Sequence, residues 1–222
     1  MLYFMKILFI FALSLFLILP KFSEAETCAQ AASKENLVNL RYNYGTLGFD
    51  ATKSTQEISA FCSDRAAGCF IHQSGIGSWH VQDKIINIGG EDCVIPTVFV
   101  SYDFSGAKIY ITKDHNPCEA RAVLRHELQH FTIWKTSREW FLKDLKKSLQ
   151  QAAAERARPC APRVRCSTGS ARALSKLINK VERRWYKIEE RNQNLLDAAD
   201  HSAVHQVNYP VCAPYSLKVG LF

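Results

Sequence analysis

The chain has 222 residues, 47% of them hydrophobic, and its 28 lysines and arginines outnumber 21 aspartates and glutamates to give a net charge of +7. That apolar content excludes a disordered chain, and the length suits one domain with a sizeable core. The positive excess lacks the aromatic-interleaved groove that tracks a nucleic-acid strand, so DNA and RNA are not expected partners.

The N-terminus reads as an export signal. Lys6 leads into an uncharged apolar run from Ile7 to Leu19, followed by Pro20, Lys21, Phe22 and the small-residue pattern Ser23-Glu24-Ala25. The run is too short for a transmembrane helix and suits a signal peptide cleaved after Ala25, with an uncleaved anchor as the alternative. Residues 1–25 are therefore set apart from a single domain over 26–222, and the protein is expected in the periplasm or outside the cell. Without Lys6, Lys21 and Glu24 the net charge falls from +7 to +6.

All eight cysteines, Cys28, Cys62, Cys69, Cys93, Cys118, Cys160, Cys166 and Cys212, lie after the signal. An even count in an exported chain implies disulfides. No Cys-x-x-Cys pair exists, which leaves little support for a cysteine zinc site or a thioredoxin-type centre. Closeness in sequence favours Cys62 with Cys69 and Cys160 with Cys166; the other pairings stay open.

Residues 28–90 give the weakest signals, with Gly75-Ile76-Gly77 and Gly89-Gly90 read as turns. Val94–Tyr102 and Ala107–Thr112 are rich in β-branched and aromatic residues, and Asp103-Phe104-Ser105-Gly106 between them carries turn chemistry. They are expected to form a β-hairpin, with Pro96 confining the first strand's start to an edge or a bulge.

Asn116 then offers a helix cap, Pro117 suits the first helical position, and Glu119 stands where a capping-box acid reaches back. No proline or glycine follows until after Ala157, and Leu124, Leu128, Phe131, Leu142, Leu145, Leu149 and Ala152 keep approximately helical spacing. Pro159, Pro162 and the Cys160–Cys166 pair interrupt. Thr168-Gly169-Ser170 opens a second run, in which Leu174, Leu177, Ile178, Val181, Trp185, Ile188, Leu195 and Leu196 follow the i, i+3, i+4, i+7 rule. The expected fold class is α+β: a small antiparallel sheet or hairpin, then a long antiparallel helical hairpin stapled by disulfides.

The first of these helices carries His126-Glu127-Leu128-Gln129-His130. Two histidines four residues apart share one face and can hold one Zn²⁺, which leaves Glu127 as candidate general base. A catalytic zinc wants a third protein ligand. If the helical hairpin turns near Arg163, the residues opposite the motif lie near position 198, a window holding Asn194, Asp197, Asp200 and His201. Asp200 falls nearest the apolar stripe and is the first choice, with Asp197 and His201 pointing further outward. Glu189 faces inward better but lies about 12 Å further along the hairpin. The remaining histidines, His72, His80, His115, His201 and His205, are expected to be surface or core residues.

These residues resemble the zincin superfamily of zinc metallopeptidases, and the stretch from Ile109 through Cys118 to His130 is similar to bacterial families of predicted secreted zinc-dependent proteases. The likeness rests on 22 of the 197 residues after the signal. It implies His126 and His130 as ligands, Glu127 as base, and the strand before the helix as a wall of the substrate cleft. The chain departs from metzincins, which place Gly and a third His where Thr132-Ile133-Trp134 stands, and from thermolysin-like enzymes, since no Glu occurs at the usual distance.

Two function classes follow. One is an exported zinc peptidase acting on a peptide or protein, in which Glu127 activates water. The other is a non-catalytic, disulfide-stapled binding module that docks a basic helical face on the anionic cell envelope. Lys143, Lys146, Lys147, Arg156, Arg158, Arg163, Arg165, Arg172, Arg183 and Arg184 concentrate positive charge in the C-terminal half, where it could meet envelope polymers or lipid headgroups.

Overall fold

The computed structural model describes residues 27–62, 67–72, 75–160 and 166–206, without the side chains of Ile76 and of 200–206. The export segment, the turn around Arg163 and Cys212 lie outside the described residues. Within them the chain mixes helices and strands in the order α1 (Cys28–Lys34), β1 (Val38–Asn43), β2 (Gly48–Asp50), α2 (Thr55–Ser59), β3 (Gly68–Ile71), β4 (Ile76–Ile88), β5 (Glu91–Asp103), β6 (Lys108–Ile111), α3 (Pro117–Ala154), β7 (Arg158–Pro159) and α4 (Ala171–Gln206). No helix among the described residues is long and apolar enough to cross a membrane.

Two sheets are formed. In the larger, β5 is central: β4 pairs with it antiparallel from Ile76↔Asp103 to Ile88↔Glu91, and β1 runs parallel along its other edge from Val38↔Val98 to Asn43↔Asp103. Gly89 and Gly90 close the β4–β5 hairpin with φ of 61° and 93°, the left-handed pair that a tight two-residue turn requires. β7 meets β5 at Cys93 and Val94. Pro96 therefore falls in the stretch of β5 that neither β1 nor β7 pairs, where a missing N–H costs nothing on that side. The smaller sheet has the order β2-β6-β3, with β2 parallel and β3 antiparallel to β6.

The expected hairpin of 94–102 with 107–112 is not formed, because β5 and β6 belong to different sheets. The residues taken for its turn carry the chain from one sheet to the other. Phe104 is 1% exposed and stacks on Tyr102 and Tyr44, with Trp134 edge-on at 6.4 Å. A hairpin apex would hold that ring in water, and burial of an aromatic side chain outweighs the local preference for a turn.

Asn116 caps α3 as its chemistry dictates, accepting from the N–H groups of Cys118 and Glu119 while Glu119 reaches back to the Asn116 N–H, and Pro117 occupies the first turn. The helix continues for 38 residues and contributes Trp134, Phe141, Leu142, Leu145, Leu149 and Ala153 to a core shared with Val98, Val100, Tyr102 and Phe104 of the larger sheet. Leu128, counted in its apolar stripe by spacing, is 41% exposed. α4 contributes Leu174, Ile178 and Val181 to the same core. Contacts between the two helices run in opposite chain directions: Asp144 meets Trp185, Arg138 meets Glu189, and His130 meets Gln193.

Disulfides join Cys62 to Cys69 and Cys160 to Cys166, the two pairs that sequence closeness favours, and a third ties Cys28 of α1 to Cys93 of β5. Cys118, in the first turn of α3, is also oxidised. Bonds closing 7- and 6-residue separations constrain the unfolded chain less than the 65-residue closure by Cys28–Cys93.

Truncating Phe104 to Ala should lower stability by about 3–5 kcal/mol, the range for a fully buried aromatic. Urea denaturation followed by circular dichroism measures it. A loss under about 0.5 kcal/mol, the surface range, would return residue 104 to an exposed turn.

Candidate metal centre

The 3.6-residue period of α3 puts His126 and His130 one above the other, with ring centroids 4.5 Å apart and nearly perpendicular planes. Their Nε2 atoms lie 2.9 Å from each other. From α4, Asp197 brings Oδ1 to 2.9 Å from His130 Nε2 and 3.5 Å from His126 Nε2. His126, His130 and Asp197 form the one group of metal-capable side chains found among the described residues, each offering one ligand atom within 4.8 Å of the others.

Glu127, between the histidines, is 5% exposed. Burial pushes its carboxyl above the usual carboxylate range. The His126 and His130 rings and the Phe70 N–H, which donates to it, pull the other way, while the nearby Asp197 charge adds to the rise. The strand lying against Glu127 is thus β3.

Gly68 makes this approach possible. A Cβ there would stand 2.4 Å from Val123 Cγ1 of α3 and 2.8 Å from the Tyr110 carbonyl oxygen of β6. Only a residue without one lets the strand lie so near the helix.

Behind the metal-capable atoms, Gln193 binds His130 twice: its Oε1 to the ring Nδ1, and its Nε2 to the His130 carbonyl oxygen at 3.1 Å. Nothing in the sequence singles out this glutamine. Further along the helices, Arg138 and Glu189, with side chains 8% and 5% exposed, form an ion pair at 2.9 Å, and His72 Nε2 stands 3.3 Å from the other Glu189 oxygen. Burial raises the Glu189 carboxyl, and Arg138 opposes the rise. Glu189 is therefore committed to the core and is two helical turns from the donor cluster.

Asp200, the first choice for the third donor, and His201 have side chains outside the described residues. The acid found beside the imidazoles is Asp197, a weighed alternative one turn earlier. Ile188 and Leu195, part of the apolar spacing of α4, are 37% and 57% exposed on the outer side of the helix pair. The row that faces α3 and the sheets runs through Glu182, Glu189 and Gln193, and Asp197 continues it. Of the other histidines, His80 stacks on Phe99 and His115 contacts Glu119.

Comparison of the chain with family models, with curated proteins and with solved structures finds no match.

Gly68→Ala should force β3 off α3 and cost about 1–3 kcal/mol, as overpacking does. Amide hydrogen exchange at Phe70 reports it directly, because the N–H held by Glu127 should exchange faster. Unchanged protection of that amide would show that the strand tolerates the methyl group and that the close approach does not hold Glu127.

Proposed function

We propose that the chain is an exported zinc-dependent peptidase of the zincin type, periplasmic or secreted, in which His126, His130 and Asp197 hold the cation and Glu127 serves as general base. The observation that carries this reading is the spacing of three donor atoms. Tetrahedral ligands about 2.0–2.1 Å from zinc stand about 3.3 Å from one another, and the separations here are 2.9, 2.9 and 3.5 Å. Two imidazole nitrogens and a carboxylate oxygen are the donor types zinc favours, and three protein ligands leave the fourth position open for water or substrate. Bound there, zinc would act as a Lewis acid that polarises a scissile carbonyl and acidifies water.

The residues of the chain do the rest. The Glu127 carboxylate takes the proton of the attacking water and later delivers it to the departing amine nitrogen. Its burial withholds competing solvent, and the Phe70 N–H fixes one end of the carboxylate. Three disulfides among the described residues fit an oxidising compartment.

Metal analysis of the purified chain should find about one zinc, and Asp197→Ala should weaken its binding by at least about 100-fold while Asp200→Ala leaves it unchanged. Glu127→Gln should keep the zinc and lower peptide hydrolysis by about 10²–10⁴-fold. Full zinc with undiminished hydrolysis in that variant removes the general-base role. A chain without zinc favours the binding module.

A second reading concerns the outer side of the helix pair and is compatible with the first. A groove of about 450 Å³ there is lined by Ile133, Trp140, Trp185, Ile188 and Leu195, and Lys143 lies over the Trp140 ring at 5.1 Å. Lys187 and Arg191 line an adjoining depression. Aromatic side chains among exposed lysines and arginines complement a surface of anionic lipid headgroups. Vesicles of phosphatidylglycerol should sediment the protein and vesicles of phosphatidylcholine should not, with Trp140→Ala weakening the association at least about threefold. Equal binding to both lipids, or to neither, removes this surface.

A further inference from the structure

One side chain decides which nitrogen of His130 is free to bind. Gln193 Nε2 donates to the His130 carbonyl oxygen, and a carbonyl can only accept, so the orientation of the amide is settled by that bond. Its oxygen therefore faces the ring. An amide oxygen also only accepts, so the proton of the neutral imidazole sits on Nδ1 and the lone pair is left on Nε2. Nε2 is the atom that stands 2.9 Å from both His126 Nε2 and Asp197 Oδ1. The lone pair of His130 thus points into the space between His126 Nε2 and Asp197 Oδ1, where a cation would sit.

We propose that Gln193 is a positioning residue that sets the divalent-cation affinity of the His126–His130–Asp197 cluster by holding His130 in its Nδ1–H tautomer and fixing the plane of its ring. The inference rests on the reading of that cluster as a metal centre. Gln193 and Asp197 are four residues apart on α4, so a single turn of one helix supplies both the third donor and the group that orients the second. Without the amide, an unpartnered imidazole divides its proton between its two nitrogens and rotates about its side-chain bonds, and part of the population offers N–H where the cation needs a lone pair.

The test is zinc affinity of the full chain, measured by competition with a chromophoric chelator, with the visible absorption of the Co²⁺-substituted protein as a second readout. Gln193→Leu should weaken zinc binding about 10–100-fold and alter the Co²⁺ spectrum. Gln193→Glu keeps an oxygen acceptor for Nδ1–H and should restore affinity to the wild-type value or tighten it, since a carboxylate makes the ring a stronger donor. Gln193→Lys, one atom longer and without an acceptor, should fail to restore it, which keeps the comparison informative if the leucine variant does not fold. Wild-type affinity in the leucine or lysine variant overturns the proposal, as does a well-folded glutamate variant that binds no better than leucine. A wild-type chain that takes up no zinc sinks the metal reading before any substitution is made, and this inference with it.

Discussion

The buried pairing of Arg138 with Glu189 is the constraint on which the rest of the site depends. Both side chains are almost dry, and their contact at 2.9 Å joins α3 to α4 at a single register. An ion pair in such surroundings yields little net stability, because desolvating two charges offsets most of their attraction. Its strength lies in what it forbids. Sliding α4 by one turn would leave a guanidinium and a carboxylate bare among Phe104 and Trp134, at a cost of several kcal/mol. Eight residues from each partner along its own helix stand His130 and Asp197, so the register that joins the charges also brings the donor atoms together.

The helices supply the donors, and the smaller sheet supplies their surroundings. β3 is stapled at Cys69 to Cys62, lies against α3 through Gly68, and gives its Phe70 N–H to Glu127. Phe70 also packs on Phe131 and Trp134 one turn and two turns beyond Glu127. The carboxylate is thus enclosed by a strand that is itself held at three points. The Phe70 N–H fixes the orientation of a carboxylate that is kept from bulk water.

Legibility in the sequence followed the range of the interactions. The start of α3 was readable to the residue, because Asn116, Pro117 and Glu119 act on their own backbone. The Cys62–Cys69 and Cys160–Cys166 bonds and the Gly89-Gly90 turn were readable for the same reason. The partnership of β5 was not. Val94–Tyr102 is an evident strand, but its neighbours β4 and β1 come from the segment with the weakest signals, and β1 pairs in parallel from more than fifty residues away. The place of Phe104 was not legible because Asp103, Ser105 and Gly106 around it favour a turn, while the ring's destination depends on Tyr44 and Trp134, which are distant in sequence.

For the site, the sequence alone determined the face shared by His126 and His130 and the place of Glu127 between them, since the helical period imposes both. It also narrowed the acid beside the two imidazoles to a window on the returning helix that contained Asp197. Only the tertiary structure brings Asp197 of that window beside the imidazoles, because the apolar residues of α4 serve two surfaces, a buried one and the outer groove, and hydrophobic spacing cannot tell them apart. Gln193, Gly68 and the Phe70 N–H were decided there as well. Each works through the exact position of another segment, and such positions are set by packing and by the Arg138–Glu189 register, not by any local preference of the chain.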